Sequence, residues 1–169
     1  MGVFFVKRFQ QIKMTLWQTK KFNELTLDQL YDVLKLRVDV FVVEQCCYYP
    51  DLDSEKNQLD RHTETLHLLG YQNDELVAYL RILAPGQSYA DYASIGRVAT
   101  AKQARGTGLG HELLSKGLNV CQQHFTNHAI KISAQEHLLT YYQYHGFEQV
   151  SAMYLEDNIP HLAMVHQIK

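Results

Sequence analysis

Arg105, Gly106, Thr107, Gly108, Leu109 and Gly110 set three alternating glycines between a strand-like run and an apolar helical pattern. Glycine has no Cβ, so consecutive backbone N–H groups can turn inward here. The helix that follows adds four unpaired N–H groups and the positive end of its dipole. Such a loop gathers phosphate oxygens, and Arg105 supplies a cation beside it. Two familiar phosphate loops are excluded. No glycine is followed by Lys and then Ser or Thr, as a P-loop requires, and Lys116-Gly117 runs in the reverse order. A dinucleotide fingerprint needs a third glycine where His111 stands. What remains is R-x-x-G-x-G. A plain flexible turn is the competing reading. Against it stand the strand-like run Ala93 to Thr100, the helix with Leu114, Leu118, Cys121 and Phe125 on one face, and the basic Arg105.

The elements that must position this loop alternate in type. Thr15 to Thr19 reads as a strand, and Thr26 with Gln29 forms a capping box opening a helix whose face carries Leu30, Leu34, Val38 and Phe41. A polar loop, Cys46 to His62, is long enough to suggest a binding role. Leu66 to Tyr71 and Glu75 to Leu83 are alternating runs joined by Gln72-Asn73-Asp74, the chemistry of an antiparallel hairpin. After Pro85-Gly86 come the strand Ala93 to Thr100, the glycine loop, its helix, and a strand at Ala129 to Ala134. That crossover implies parallel pairing of the two strands. A short helix, His137 to Tyr144, stops at Gly146. Strands Phe147 to Leu155 and His161 to Gln167 then flank Asp157-Asn158-Ile159-Pro160. The order predicts a mixed α/β fold: a largely antiparallel sheet with helices on its faces.

At 169 residues and 46% hydrophobic composition the chain suits one domain, expected over 14–169, with 1–13 an extension outside it. No apolar run approaches the roughly 20 residues of a membrane span, so no membrane partner is expected. A net charge of -2 with scattered Lys and Arg gives no footprint for nucleic acid. The adjacent Cys46-Cys47 pair is a poor disulfide and Cys121 reads as core, which suits a reducing cytoplasm. Nine histidines include His124 and His128 at i, i+4, but no HExxH or Cys/His cluster accompanies them, so no metal is expected.

Taken together, the residues resemble the GNAT superfamily of acetyl-coenzyme-A-dependent N-acetyltransferases. Arg105, Gly108 and Gly110 match its Q/R-x-x-G-x-G/A loop, and Tyr142, Gly146 and Phe147 supply Y-x-x-x-G-F at the expected distance. The resemblance runs from about Met14 to the C-terminus. It is closest to the ElaA-like branch, through Phe41-Val42-Val43-Glu44-Gln45, the run Asn73 to Tyr79, Ile95-Gly96-Arg97-Val98 and Ile159-Pro160-His161. It implies central parallel strands that splay apart around the pantetheine arm of acetyl-CoA. The amides of Arg105, Gly106, Thr107, Gly108, Leu109 and Gly110 would take the pyrophosphate. The N–H of Val98 would face the thioester oxygen, Thr100 and Gln135 would lie along the cofactor, and Tyr142 would protonate the departing thiolate.

Acyl transfer to an amine requires the free base. At pH 7 a lysine-like amine with pKa about 10.4 must give up a proton at a cost of about 4.6 kcal/mol. Many GNAT enzymes carry a glutamate on the strand entering the glycine loop, yet Ala93 to Thr100 holds no carboxylate. The candidates for the base are Glu44, Asp51, Asp53 and His161, with Glu44 and His161 preferred, and Asp51 and Asp53 in the polar loop could also attract a cationic amine. Arg97 could bind an acceptor carboxylate or hold Glu44, and Arg81 poses the same alternatives. The expected reaction is direct acetyl transfer to a small-molecule or protein amine by a monomer or homodimer. A non-catalytic acyl-CoA-binding module is the alternative.

Overall fold

The computed structural model describes residues 14–52 and 58–167. The expected extension 1–13 and the candidate Asp53 lie outside the described residues. Strands β1 (Leu16–Lys21), β2 (Leu66–Gln72), β3 (Glu75–Leu83) and β4 (Ser94–Thr100) form one antiparallel sheet in chain order. Strand β5 (Ile130–Gln135) pairs with β8 (Ile159–His166), which also pairs with β6 (Glu148–Gln149) and β7 (Tyr154–Glu156). Helices α1 (Leu27–Arg37), α2 (Leu109–His124) and α3 (Leu139–Tyr144) complete the mixed fold.

Strand β3 is covered on both faces, which explains its near-continuous burial. Leu80 points towards α2, where a Cβ on Gly117 would come within 2.8 Å of Leu80 Cδ2. Tyr79 and Arg81 point the other way, into a polar layer beneath α1. There Arg37 donates from Nε to Asp51 Oδ2 at 2.8 Å and from Nη1 to Asp60 Oδ2 at 2.9 Å. Arg81 Nη1 donates to the other Asp60 oxygen at 2.7 Å. His67 Nε2 donates to the Asp60 carbonyl at 2.9 Å, so its Nδ1 accepts from the Tyr79 hydroxyl at 2.8 Å. The layer fastens the segment carrying Asp51 and Asp60 to the sheet.

A buried ion pair broken from one side costs about 3 to 5 kcal/mol, because the surviving charge stays buried. Arg37→Ala leaves Asp60 to Arg81 and Asp51 to Arg97, so the expected loss in chemical denaturation is at the lower end of that range, about 3 kcal/mol. Burial opposes ionisation of Asp60, but Arg81 and Arg37 outweigh it and hold its carboxyl below the usual value. Asp60 therefore stabilises the fold fully above an unfolded carboxyl pKa of about 4. That stability is lost as pH falls through the depressed folded pKa.

Several local expectations needed correction. The capping box is present, with Gln29 N–H donating to Thr26 Oγ1 and Thr26 N–H to Gln29 Oε1, both at 3.1 Å. Beyond Arg37, however, the helix widens over Val38–Glu44, where Gln45 N–H reaches back five residues to the Val40 carbonyl. This rotates the apolar face onto Val33, Leu36, Val40 and Phe41, and leaves Val38 exposed. Phe147 to Leu155 is not one strand, because Ser151 Oγ accepts the Ala163 N–H at 2.9 Å in place of a ladder carbonyl. Helix α2 ends at His124, so His124 and His128 do not share a helix face.

Candidate active site

Strands β4 and β5 touch at a single parallel bridge, Ala93 to Ile130, where Ala93 N–H donates to the Ala129 carbonyl and Lys131 N–H to the Ala93 carbonyl. Past it β4 pairs with β3 and β5 with β8, so the two strands diverge. A cavity of about 550 Å³ opens along this side of the molecule. Arg97 and Val98 of β4, Ser133 and Gln135 of β5, Tyr142 of α3 and His161 of β8 all line it.

The ladder between β3 and β4 slips between Tyr79 and Arg81, leaving Arg97 and Val98 without register partners. Arg97 there has φ +54°, a left-handed conformation that a long side chain adopts only at a cost of about 1 to 3 kcal/mol. Its guanidinium is held from the side. Nε lies 2.7 Å from Asp51 Oδ1 in a coulombic contact whose N–H is not aimed at the oxygen. Nη2 donates to the Asp51 carbonyl at 3.3 Å, and the group lies over the Tyr49 ring. The bulge leaves Val98 without a register partner on β3, at the wall of the cavity.

The glycine loop follows β4. Gly106 has φ +73° and Gly108 φ +85°, and a Cβ at either would meet nothing within 4 Å, so conformation rather than crowding demands glycine. Among the described residues the N–H groups of Gly106, Thr107 and Gly108 donate to no protein acceptor, and α2 begins immediately after them. Buried Leu109 anchors the helix start, and the Tyr141 hydroxyl donates to the Gly110 carbonyl at 2.7 Å. Thr107 Oγ1 donates to the Ala104 carbonyl at 2.8 Å. The Arg105 guanidinium donates to the Thr100 carbonyl from Nε at 3.1 Å and from Nη2 at 2.9 Å, while Nη1 donates to Glu44 Oε1. Its side chain thus braces the loop against β4 and the end of the first helical segment.

Glu44 is therefore a partner of Arg105 and does not line the cavity. The hydrogen bond from Arg105 holds its carboxyl below the ordinary value, which weakens it as a base. Asp51 is buried between Arg37 and Arg97 and is likewise absent from the cavity wall. Tyr142 and His161 do share the cavity. Tyr142 is 7% exposed, packs edge-on against Phe147 and Tyr141, and burial pushes its hydroxyl up to about 12. His161 Nδ1 lies 2.8 Å from the Ile159 carbonyl, an oxygen that can only accept. In the neutral imidazole, Nδ1 therefore carries the proton and Nε2 the lone pair.

Sequence reasoning missed the bulge, although a glycine inside a strand pattern, here Gly96, is its usual sign. It also missed the polar face of β5. Ile130, Ile132 and Ala134 are buried while Lys131, Ser133 and Gln135 alternate with them. Ser133 Oγ lies 2.6 Å from both the Tyr154 hydroxyl and Glu156 Oε2. Among the described residues, no cluster of three or more His, Cys, Asp or Glu could hold a metal ion, and no helix is long and apolar enough to cross a membrane.

Comparison with known proteins agrees with this architecture. Residues 32–168 match the model of the acetyltransferase (GNAT) domain. The chain is 41% identical over 152 residues to protein ElaA of Escherichia coli, covering 90% of this chain and 96% of that protein. The crystal structure of Escherichia coli ElaA superposes with a TM-score of 0.83 and 41% identity, over 91% of this chain and all of that one. An acyl-CoA N-acyltransferase from Pseudomonas aeruginosa gives a TM-score of 0.82 at 40% identity, over 91% and 100% of the two chains.

Proposed function

The chain belongs to the GNAT acetyltransferase family, and on that premise we propose that it transfers acetyl from acetyl-CoA to a primary amine by direct attack in a ternary complex. Residues 14–169 act as one catalytic domain in this reading. The observation that carries it is the conjunction of open loop amides at the start of α2 with a splayed strand pair whose cavity contains Tyr142. The chain's similarity to an acyl-CoA N-acyltransferase from Pseudomonas aeruginosa supports a CoA thioester as donor.

The amides of Gly106 to Gly110 take the pyrophosphate, with Arg105 as their brace, and the pantetheine lies along Thr100 and the cavity wall at Val98 and Gln135. The Val98 N–H stabilises the oxyanion formed on attack. Such a donor contributes about 3 to 4 kcal/mol when it is fixed in advance, and the Arg97 bulge does the fixing. His161 Nε2 accepts the proton shed as the attacking nitrogen becomes an amide. Tyr142 protonates the thiolate that leaves. Glu44 and Asp51 act as struts for Arg105 and Arg97.

Thiol release from acetyl-CoA, read against a panel of polyamines, aminoglycosides, amino acids and lysine peptides, tests the reading. A coupled rise in free thiol and acetylated product is expected for at least one class. CoA binding by calorimetry without thiol release would instead establish a non-catalytic acyl-CoA-binding module.

A further inference from the structure

An acceptor amine arrives at neutral pH as an ammonium ion and must lose one proton before it can attack, in addition to the proton lost after attack. His161 accounts for the second of these. We propose that Glu156 removes the first, with Ser133 and Tyr154 as positioning residues that hold its carboxylate towards the acceptor. This rests on the transfer reading above and adds the group that activates the acceptor.

Ser133 and Glu156 line the same cavity as Val98, Tyr142 and His161. A carboxylate only accepts, so the Ser133 hydroxyl spends its proton on Glu156 Oε2 at 2.6 Å. Ser133 Oγ must then receive the proton of the Tyr154 hydroxyl, also at 2.6 Å. The direction of the whole chain is fixed: Tyr154 to Ser133 to Glu156. Tyr154 is itself set by its stacking on His161, with ring centroids 6.3 Å apart and planes 24° apart. Only one carboxylate oxygen is engaged by the chain, which leaves Oε1 to meet an ammonium. The neighbouring ionisable groups are Asp157 in the adjoining turn, Tyr89 from the β3–β4 loop, Lys131 on β5 and His161 on β8. Lys131 Nζ is drawn over the Tyr89 ring at 4.9 Å. Burial raises the Tyr89 hydroxyl, and the nearness of Tyr154 and Glu156 raises it further, so Tyr89 stays neutral beside the carboxylate.

The step balances without a further reagent. One ammonium N–H bond breaks, its electron pair stays on nitrogen, and Glu156 becomes the carboxylic acid, which returns the proton to solvent. The free amine then forms the C–N bond as the C–S bond breaks.

The test uses two acceptors of similar size, one with an amine pKa near 10 and one below about 6, which enters already deprotonated. In the full chain at pH 7, Glu156→Gln and Ser133→Ala are expected to lower the ratio of kcat/KM for the basic over the weakly basic amine. The expected drop is about a hundredfold for Glu156→Gln and about tenfold for Ser133→Ala, within the usual range for acid–base catalysis. The ratio should recover as pH approaches 10. An equal loss for both amines at every pH, with CoA affinity retained, would assign the chain a structural role and overturn the proposal. Wild-type protein that binds CoA but acetylates no amine would sink the transfer reading, and this inference with it.

Discussion

Tyr142→Phe is expected to reduce turnover by about two orders of magnitude while leaving CoA affinity within a few fold. General acid catalysis contributes about 10² to 10⁴ in rate, and only the hydroxyl differs between the two side chains. The ring itself is structural: it packs edge-on against Phe147 at 5.6 Å and Tyr141 at 5.0 Å, and phenylalanine preserves both contacts. The hydroxyl suits the task because burial pushes it up to about 12. It remains protonated at every pH at which the acceptor is worth assaying. In the proposed transfer, a thiolate leaving beside this buried hydroxyl is an unstable charge that its proton would neutralise as the bond breaks. Single-turnover rates and calorimetric CoA affinity, measured side by side, check the prediction. Unchanged turnover would remove Tyr142 from the chemistry.

The extent to which the site was legible in the sequence follows from how local each feature is. The β2–β3 hairpin was readable because Asn73 and Asp74 both need positive φ, at +51° and +61°, and their side chains tolerate it. The glycine loop was readable for the same reason, since Gly106 and Gly108 carry its left-handed turns. The wide turn after Arg37 was not, because its five-residue hydrogen bond is set by what Phe41 and Val40 pack against. The fates of Glu44 and Asp51 were equally hidden. Glu44 meets an arginine 61 residues away and Asp51 meets Arg97 across 46, distances at which periodicity carries no information. Nothing local in the sequence marks Glu156 as lining the cavity. The fold places its carboxylate beside Ser133, 23 residues earlier in the chain and on a different strand.

Gly108→Val is expected to weaken CoA binding by about a hundredfold with little loss of global stability. Gly108 is the N-cap of α2 at φ +85° and ψ 0°, a conformation in which a β-branched residue is strained by a few kcal/mol. Space is not the obstacle, since its Cβ would meet nothing within 4 Å. The loop is therefore free to relax towards negative φ, and relaxation swings the N–H groups of Gly106 to Leu109 off a common centre. Hydrogen bonds to a charged acceptor contribute about 1.5 to 3 kcal/mol each. Losing the alignment of one or two accounts for the predicted change in affinity. The buried anchor Leu109 and the Gly108 carbonyl, which accepts Glu112 N–H at 3.1 Å, keep α2 itself in register. Gly110→Ala is the matched control. Its φ is not left-handed, and a Cβ there meets only the Tyr141 hydroxyl at 3.9 Å, an ordinary contact. Calorimetry with CoA should therefore separate the two variants by more than tenfold. Equal affinities would mean that the phosphates are held by side chains elsewhere and that the loop conformation has no part in binding.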